Sequence, residues 1–132
     1  MPASANAAED DAFLPLQGML EIFERAPPPK LMVTLKGADH LHFIDDAEQA
    51  HEAFRTSKLD DQLLAEIQLD MKPATQLVSG ATAHAFTSGL CLAHFDATLR
   101  GSPSARQFLE GGLKQELVDR SIDARIETYR AG

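Results

Sequence analysis

Residues 29–43 read Pro29-Lys-Leu-Met-Val-Thr-Leu-Lys-Gly-Ala-Asp-His-Leu-His-Phe43. Residues 30–36 are a short apolar, β-branched run set between Pro27-Pro28-Pro29 and Gly37. Apolar side chains at successive positions, rather than alternate ones, mark a strand buried on both faces, as in a parallel sheet. The run leads into a loop, residues 38–43, that carries Asp39, His40 and His42. In an open parallel sheet ligands sit beyond the carboxyl ends of the strands, so a histidine in this loop is well placed for chemistry.

Upstream, Leu16, Met19, Leu20 and Phe23 have helical spacing, widened by Ile22, and predict a helix over 16–26. The three prolines end it, because proline lacks an N–H and disfavours helix at the residue before it. Residues 1–8 are small and polar without a period and are expected to be loose. Downstream, Asp45 and Asp46 suit the cap of a helix reaching about Thr56. Leu63, Leu64 and Ile67 predict a further helix within 59–69, and Met71-Lys72-Pro73 a break. Residues 75–99 read as a long, nearly apolar helix, with Gly80, Ala81, Ala85, Gly89 and Ala93 permitting close approach. Gly101 stops it. Ser102-Pro103 opens a short helix over 104–110, Gly111-Gly112 breaks it, and 113–130 reads as a surface helix or frayed tail. The expected organisation is a flexible 1–8, a partial α/β domain at 9–112, and a C-terminal helix or tail at 113–132. A lone buried strand is physically incomplete, since its backbone groups need neighbours on both sides. Either the N-terminal residues supply a partner strand, or the sheet lies partly outside this chain.

The 132 residues carry 12 Lys and Arg against 20 Asp and Glu, a formal net charge of -8. That balance argues against nucleic acid as a partner, because phosphate binding needs a basic surface. It argues equally against an anionic membrane surface. The longest uncharged stretch, 73–95, contains ten residues that are polar or glycine, among them Gln76, Ser79, His84 and His94. A lipid-spanning helix rarely carries so many, so a buried helix of a soluble protein is expected and no membrane span. The first eleven residues lack a basic n-region and an apolar h-region, so no targeting segment is expected. The single cysteine, Cys91, forms neither an internal disulfide nor a cysteine zinc site, and fits a reducing, cytoplasmic setting. On an apolar helix face it is expected to be an inert core thiol.

Asp11 and His40 are 29 residues apart. A helix and a strand intervene, which allows both to lie in adjacent strand-end loops. Such a pair suits the orienting half of a nucleophilic triad: the carboxylate fixes the imidazole tautomer, and the other ring nitrogen takes a proton from a nucleophile. The same residues also fit a surface Asp and a loop His with no catalytic role. Asp39, His40 and His42, with His84 or His94, are residue types that ligate metals, but no further ligand has recognisable spacing, and neither metal nor cofactor is expected. His84 and His94 read as packed or hydrogen-bonded helix residues, and His51, on a charged helix face, as solvated.

Residues 29–43 resemble the last strand and histidine loop of α/β-hydrolases, most of all the dienelactone hydrolase group with its platelet-activating-factor acetylhydrolase and chlorophyllase-like relatives. In that family a Pro-Lys opens the strand and Gly-Ala-x-His-x-x-Phe carries the base, matched here by residues 37–43. Asp11-Ala-Phe-Leu-Pro15 resembles the preceding acid loop, and residues 85–109 the closing helix and the short helix after it. The resemblance covers residues 9–110. It implies an α/β fold, the C-terminal part of an α/β-hydrolase sheet, with several packed helices. It further implies His40 as general base, Asp11 as the orienting acid with Asp10 as fallback, His42 as a neighbour of the base, and a small ester or lactone as substrate.

One departure is large. These hydrolases run in chain order Ser, acid, His, with the Ser on a G-x-S-x-G elbow. No G-x-S-x-G occurs here; Ser79, Ser88, Ser102 and Ser104 lack that context, and the oxyanion segment is missing too. The expectation is the acid and base portion of a serine ester hydrolase, inactive alone, with the remaining sheet supplied by a longer product or a partner chain. Two alternatives stand beside it: a noncatalytic hydrolase derivative that binds an apolar ligand or a partner through its exposed sheet edge, and a helical interaction module whose likeness is accidental. The 59–71 segment reads either as a pocket wall or as a plain packing helix.

Overall fold

Lys30–Leu35, the expected buried strand, is the centre of the sheet. The computed structural model describes residues 3–129. Its elements are, in chain order, β1 (Ala3–Ala8), α1 (Leu16–Arg25), β2 (Lys30–Leu35), α2 (Ala47–Thr56), α3 (Gln62–Asp70), α4 (Gly80–Thr98), α5 (Pro103–Gln107), α6 (Leu113–Asp119) and β3 (Ala124–Tyr129). The fold is mixed α/β and rich in helix. Its three strands lie in the order β1-β2-β3. β1 pairs with β2 in parallel, Ala3 opposite Lys30 and Ala8 opposite Leu35, while β3 runs antiparallel on the other side.

β2 is buried on both faces, as its composition requires. Val33 and Leu35 face a core built from Ala8, Phe86 and Leu90, closed by Leu113, Leu117 and Ile122. Met32 faces the opposite way, against Ala7 and Phe23 of α1. The crossover β1-α1-β2 therefore lies on one face of the sheet, and α4 and α6 on the other.

Several expectations need correction. Residues 3–8 are not loose but form β1. Ala7 and Ala8 are both 3% exposed: the alanines lie between bulky neighbours on either face, and those neighbours fill the volume that small strand residues leave. The rest of that expectation, Met1 and Pro2, lies outside the described residues. The segment 113–130 is not one helix or tail. It is α6 followed by β3, in which Ile126 packs on the core and Arg125 is exposed, the alternation of a strand covered on one face. Residues 130–132 lie outside the described residues. Gly111-Gly112 does not break the helix after Pro103. Phe108–Gly112 forms a π turn that joins α5 to α6, held by Phe108, Leu109 and Leu113 on the core; packing here overrides glycine's low propensity. Asp46 does precede α2, but with φ of 53° and no side-chain bond to the helix, so it turns the chain rather than capping it.

The long apolar helix begins later than expected. Ser79 caps it, accepting from Thr82 N, and Gly80–Thr98 is the helical span. Only its inner face is buried, through Ala83, Phe86, Leu90, Ala93 and Ala97. Leu92, Phe95 and Leu99 are exposed, and so is Cys91, which is therefore not a core thiol. Among the described residues no helix is long and apolar enough to cross a membrane.

Candidate functional site

Because β1 and β2 are adjacent and parallel, their carboxyl ends open at the same edge of the sheet. The loop after β1 carries Asp10 and Asp11; the loop after β2 carries Asp39, His40 and His42. Two backbone bonds hold these loops together beyond the strands, Glu9 N–H to Leu35 O at 3.0 Å and Asp10 N–H to Ala38 O at 2.9 Å. Gly37, with φ of +68°, makes the turn out of β2, and its carbonyl accepts from Val78 N at 2.8 Å. A short 3-10 turn, His40–Phe43, follows.

Asp39 caps that turn. Its Oδ1 accepts from His40 N at 2.6 Å and from Ala12 N at 2.8 Å, so one buried carboxylate oxygen ties the histidine loop to the acid loop. In return His42 Nδ1 accepts from Asp39 N at 3.1 Å, a capping box in which histidine takes the place of the usual Glu or Gln.

Asp11 is fixed by its own loop. Its Oδ1 accepts from Phe13 N at 2.9 Å and Leu14 N at 2.8 Å. Its Oδ2 lies 3.1 Å from His40 Nδ1. The Asp11 side chain is 9% exposed and that of His40 38%. The Phe13 ring flanks the imidazole, centroid to centroid 4.7 Å, and Phe54 backs Phe13 at 5.1 Å. A carboxylate accepts only, so His40 Nδ1 carries the hydrogen and Nε2 keeps its lone pair. No described residue hydrogen-bonds to Nε2.

Asp10 points elsewhere. It pairs with Lys72 at 2.7 Å, and that bond raises the Lys72 pKa above its usual value. Of the two candidate acids, Asp11 is the one within hydrogen-bond reach of His40. His42 is 1% exposed. Burial pushes its pKa down, and the neighbouring His51 adds to this, so it is a structural imidazole beside the half-buried His40. His51 corrects a further expectation: it is not solvated but fully buried. It donates Nε2–H to Lys72 O at 2.7 Å and meets the His42 ring edge-on at 5.4 Å. The face of α2 that bears it packs on the histidine turn. His84 and His94 are hydrogen-bonded helix residues, His84 to Ser88 at 3.4 Å and His94 to the Ser4 hydroxyl. Among the described residues no three His, Cys, Asp or Glu side chains converge as a metal-binding set.

Two contributors were not singled out from the sequence for what they do here, Asp39 as the clamp between loops and Phe13 as the wall of the imidazole. The clamp had a legible signal, since Asp39-x-x-His42 has the spacing of a capping box. Phe13 had none beyond its closeness to Asp11. No family model, no curated protein and no solved structure matches the chain.

Proposed function

We propose that this chain carries the acid and the base of a serine-type carboxylic ester hydrolase of the dienelactone hydrolase kind. Asp11 holds His40 in the Nδ1–H tautomer, and His40 Nε2 takes the proton of a nucleophile that another segment or chain supplies. The observation that carries this reading is the 3.1 Å contact between Asp11 Oδ2 and His40 Nδ1, made from adjoining loops at the carboxyl ends of two parallel strands. In a hydrolytic triad the carboxylate also stabilises the imidazolium that forms when the nucleophile attacks. Small esters or lactones in a cytoplasmic setting are the substrates this reading implies, and the three-stranded sheet is then the C-terminal part of a hydrolase sheet.

The chain has no G-x-S-x-G, so it supplies no elbow nucleophile for acyl transfer. Loss of a triad member costs an intact enzyme several orders of magnitude. That same absence favours a second reading, a noncatalytic hydrolase derivative that binds a ligand or a partner. The test is hydrolysis of 4-nitrophenyl acetate, by the chain alone and by the chain mixed with a hydrolase fragment that bears the elbow. The expected result is no turnover alone and hydrolysis in the mixture that disappears with His40→Ala. A burst from the chain alone that His40→Ala abolishes would overturn the division of labour. A mixture that assembles and stays inactive favours the noncatalytic reading.

A further inference from the structure

His42 and His51 form a buried pair of imidazoles behind the acid and base. His42 is 1% exposed and His51 fully buried. The bond that each ring makes on one side fixes where its hydrogen sits. His42 Nδ1 accepts from Asp39 N–H, so Nε2 carries the His42 hydrogen. His51 Nε2–H donates to Lys72 O, so Nδ1 keeps the His51 lone pair. The two remaining atoms, His42 Nε2 and His51 Nδ1, meet no hydrogen-bond partner among the described residues. They are one donor and one acceptor, on rings that stand edge-on at 5.4 Å. Groups so matched support each other in a buried setting only while both rings are neutral. A metal between them does not fit, because Nε2 of His42 already bears a hydrogen.

The pair stands one bond away from the clamp between the two loops. Asp39 Oδ1 takes His40 N–H, and His42 in return takes Asp39 N–H. The same Asp39 oxygen takes Ala12 N–H, next in the chain to Asp11. Whatever turns the Asp39 carboxylate therefore frees the acid loop beside the residue that holds His40. Two ring nitrogens of the pair have a lone pair to protonate, His42 Nδ1 and His51 Nδ1. A proton on the first sets N–H against Asp39 N–H. A proton on the second sets N–H against His42 Nε2–H. The turn packs against α2 and α4. On α2, Glu48 is engaged by Gly80 N–H, and Glu52 by Arg55 and Ala74 N–H. On α4, His84 lies at the surface against Ser88. In the acid loop Asp10 pairs with Lys72 and Asp11 with His40. The charges that act on His42 are those of His51 and Asp39.

We infer that His42, backed by His51, is a positioning residue for Asp11 and His40, and that it joins their two loops only while it is neutral. The inference rests on the reading of Asp11 and His40 as acid and base. When His42 takes a proton from solvent, its Nδ1–H turns from the Asp39 amide to the Asp39 carboxylate, whose Oδ2 is buried without a partner among the described residues. A carboxylate drawn that way gives up Ala12 N–H and His40 N–H, and the acid loop comes away from the histidine turn. Loss of the proton to solvent restores the cap. Burial lowers the His42 pKa in the joined arrangement, and His51 adds to this. The loops are therefore fully joined above pH 6.5, the ordinary histidine value, and loosen as pH falls below it.

Amide hydrogen exchange of the whole chain, read by NMR, follows the two N–H groups that Asp39 holds. Protection of the Ala12 and His40 amides should be weaker than that of Val33 in the sheet, and should fall about tenfold between about pH 7.5 and 5. His42→Gln keeps the acceptor in the usual capping-box form and cannot titrate, so it should hold that protection level over the same range. His42→Phe keeps the bulk and loses the acceptor. It should lose the protection even at the upper end of the range, and with it the Nδ1–H preference of His40 at alkaline pH. Circular dichroism checks folding; if His42→Phe does not fold, wild type against His42→Gln decides. An equal fall in His42→Gln overturns the inference. So does a folded His42→Phe whose loop amides stay protected, a neutral His42 in the Nδ1–H tautomer, or loop amides that exchange only together with Val33. None of these readouts passes through hydrolysis. An acid and base that prove noncatalytic leave the coupling standing, and a coupling that fails leaves the Asp11–His40 contact as it was.

Discussion

His40 Nδ1 and Asp11 Oδ2 lie 3.1 Å apart, and the other oxygen of Asp11 is held by the N–H groups of Phe13 and Leu14. The carboxylate thus cannot turn away without losing two backbone bonds, and the imidazole is offered one acceptor in one place. The Nδ1–H tautomer should therefore dominate in neutral His40. Long-range proton–nitrogen NMR at alkaline pH reads it directly. Asp11→Ala should remove the bias and raise the Nε2–H form; an unchanged tautomer would mean that Asp11 does not orient His40.

Asp39 acts one step further back. Its buried Oδ1 receives Ala12 N–H and His40 N–H, and bonds to a charged acceptor contribute about 1.5–3 kcal/mol each. Asp39→Ala leaves both donors unsatisfied, so urea denaturation should show a loss of roughly 2–4 kcal/mol, short of the full sum because the loops relax. Asp39→Asn keeps an oxygen at the same place and should cost clearly less. Equal losses for the two variants would show that the oxygen is not what matters.

How much of this was legible depends on side-chain size. β2 was readable because Met32, Val33 and Leu35 are large and apolar on both faces. β1 was not, because Ala3–Ala8 offers no bulk and its burial comes from Phe23, Met32 and Phe86, residues remote in sequence. β3 hid behind its charges, although Ile122, Ala124 and Ile126 recur every second residue and could have signalled a strand. The Asp11–His40 meeting followed from chain order and an expected parallel sheet, once β1 supplied the partner strand. The burial of His51 did not, because a histidine on a charged helix looks alike in sequence whether it faces water or a second imidazole.

That second imidazole makes the fold sensitive to acid. His42 ordinarily titrates near 6.5, and in the folded chain burial, then the charge of His51, lowers it, with Asp39 and backbone carbonyls only partly offsetting them. Above 6.5 both folded and unfolded chains carry it neutral, and its contribution to stability is full. As pH falls below 6.5 the unfolded chain takes a proton that the folded chain resists. Stability then declines until the folded-state value is passed. His42→Gln keeps an acceptor for Asp39 N–H but cannot titrate. Between about pH 7.5 and 5 the wild-type chain should lose stability to urea more steeply than the glutamine variant; parallel curves would place the acid sensitivity elsewhere.

The two adjacent aspartates of the acid loop should separate cleanly. Asp10 pairs with Lys72, whose side chain is 51% exposed, across the gap between the acid loop and the segment after α3. Exposed pairs of this sort are screened by water and contribute little, so Asp10→Asn should change stability little. It should also let the raised Lys72 pKa fall back toward its ordinary value, since the bond to Asp10 is the main cause of the rise. What it should not do is disturb the His40 tautomer, because Asp10 N–H still binds Ala38 O and the loop keeps its path. Asp11→Asn has the opposite pattern: Lys72 stays as it is, and His40 meets a neutral amide that no longer selects Nδ1–H by charge. Lysine ε-ammonium and imidazole NMR titrations on the two variants read both sites in the same samples. A His40 tautomer that responds to Asp10→Asn as strongly as to Asp11→Asn would mean that the loop as a whole, not the single carboxylate of Asp11, holds the imidazole.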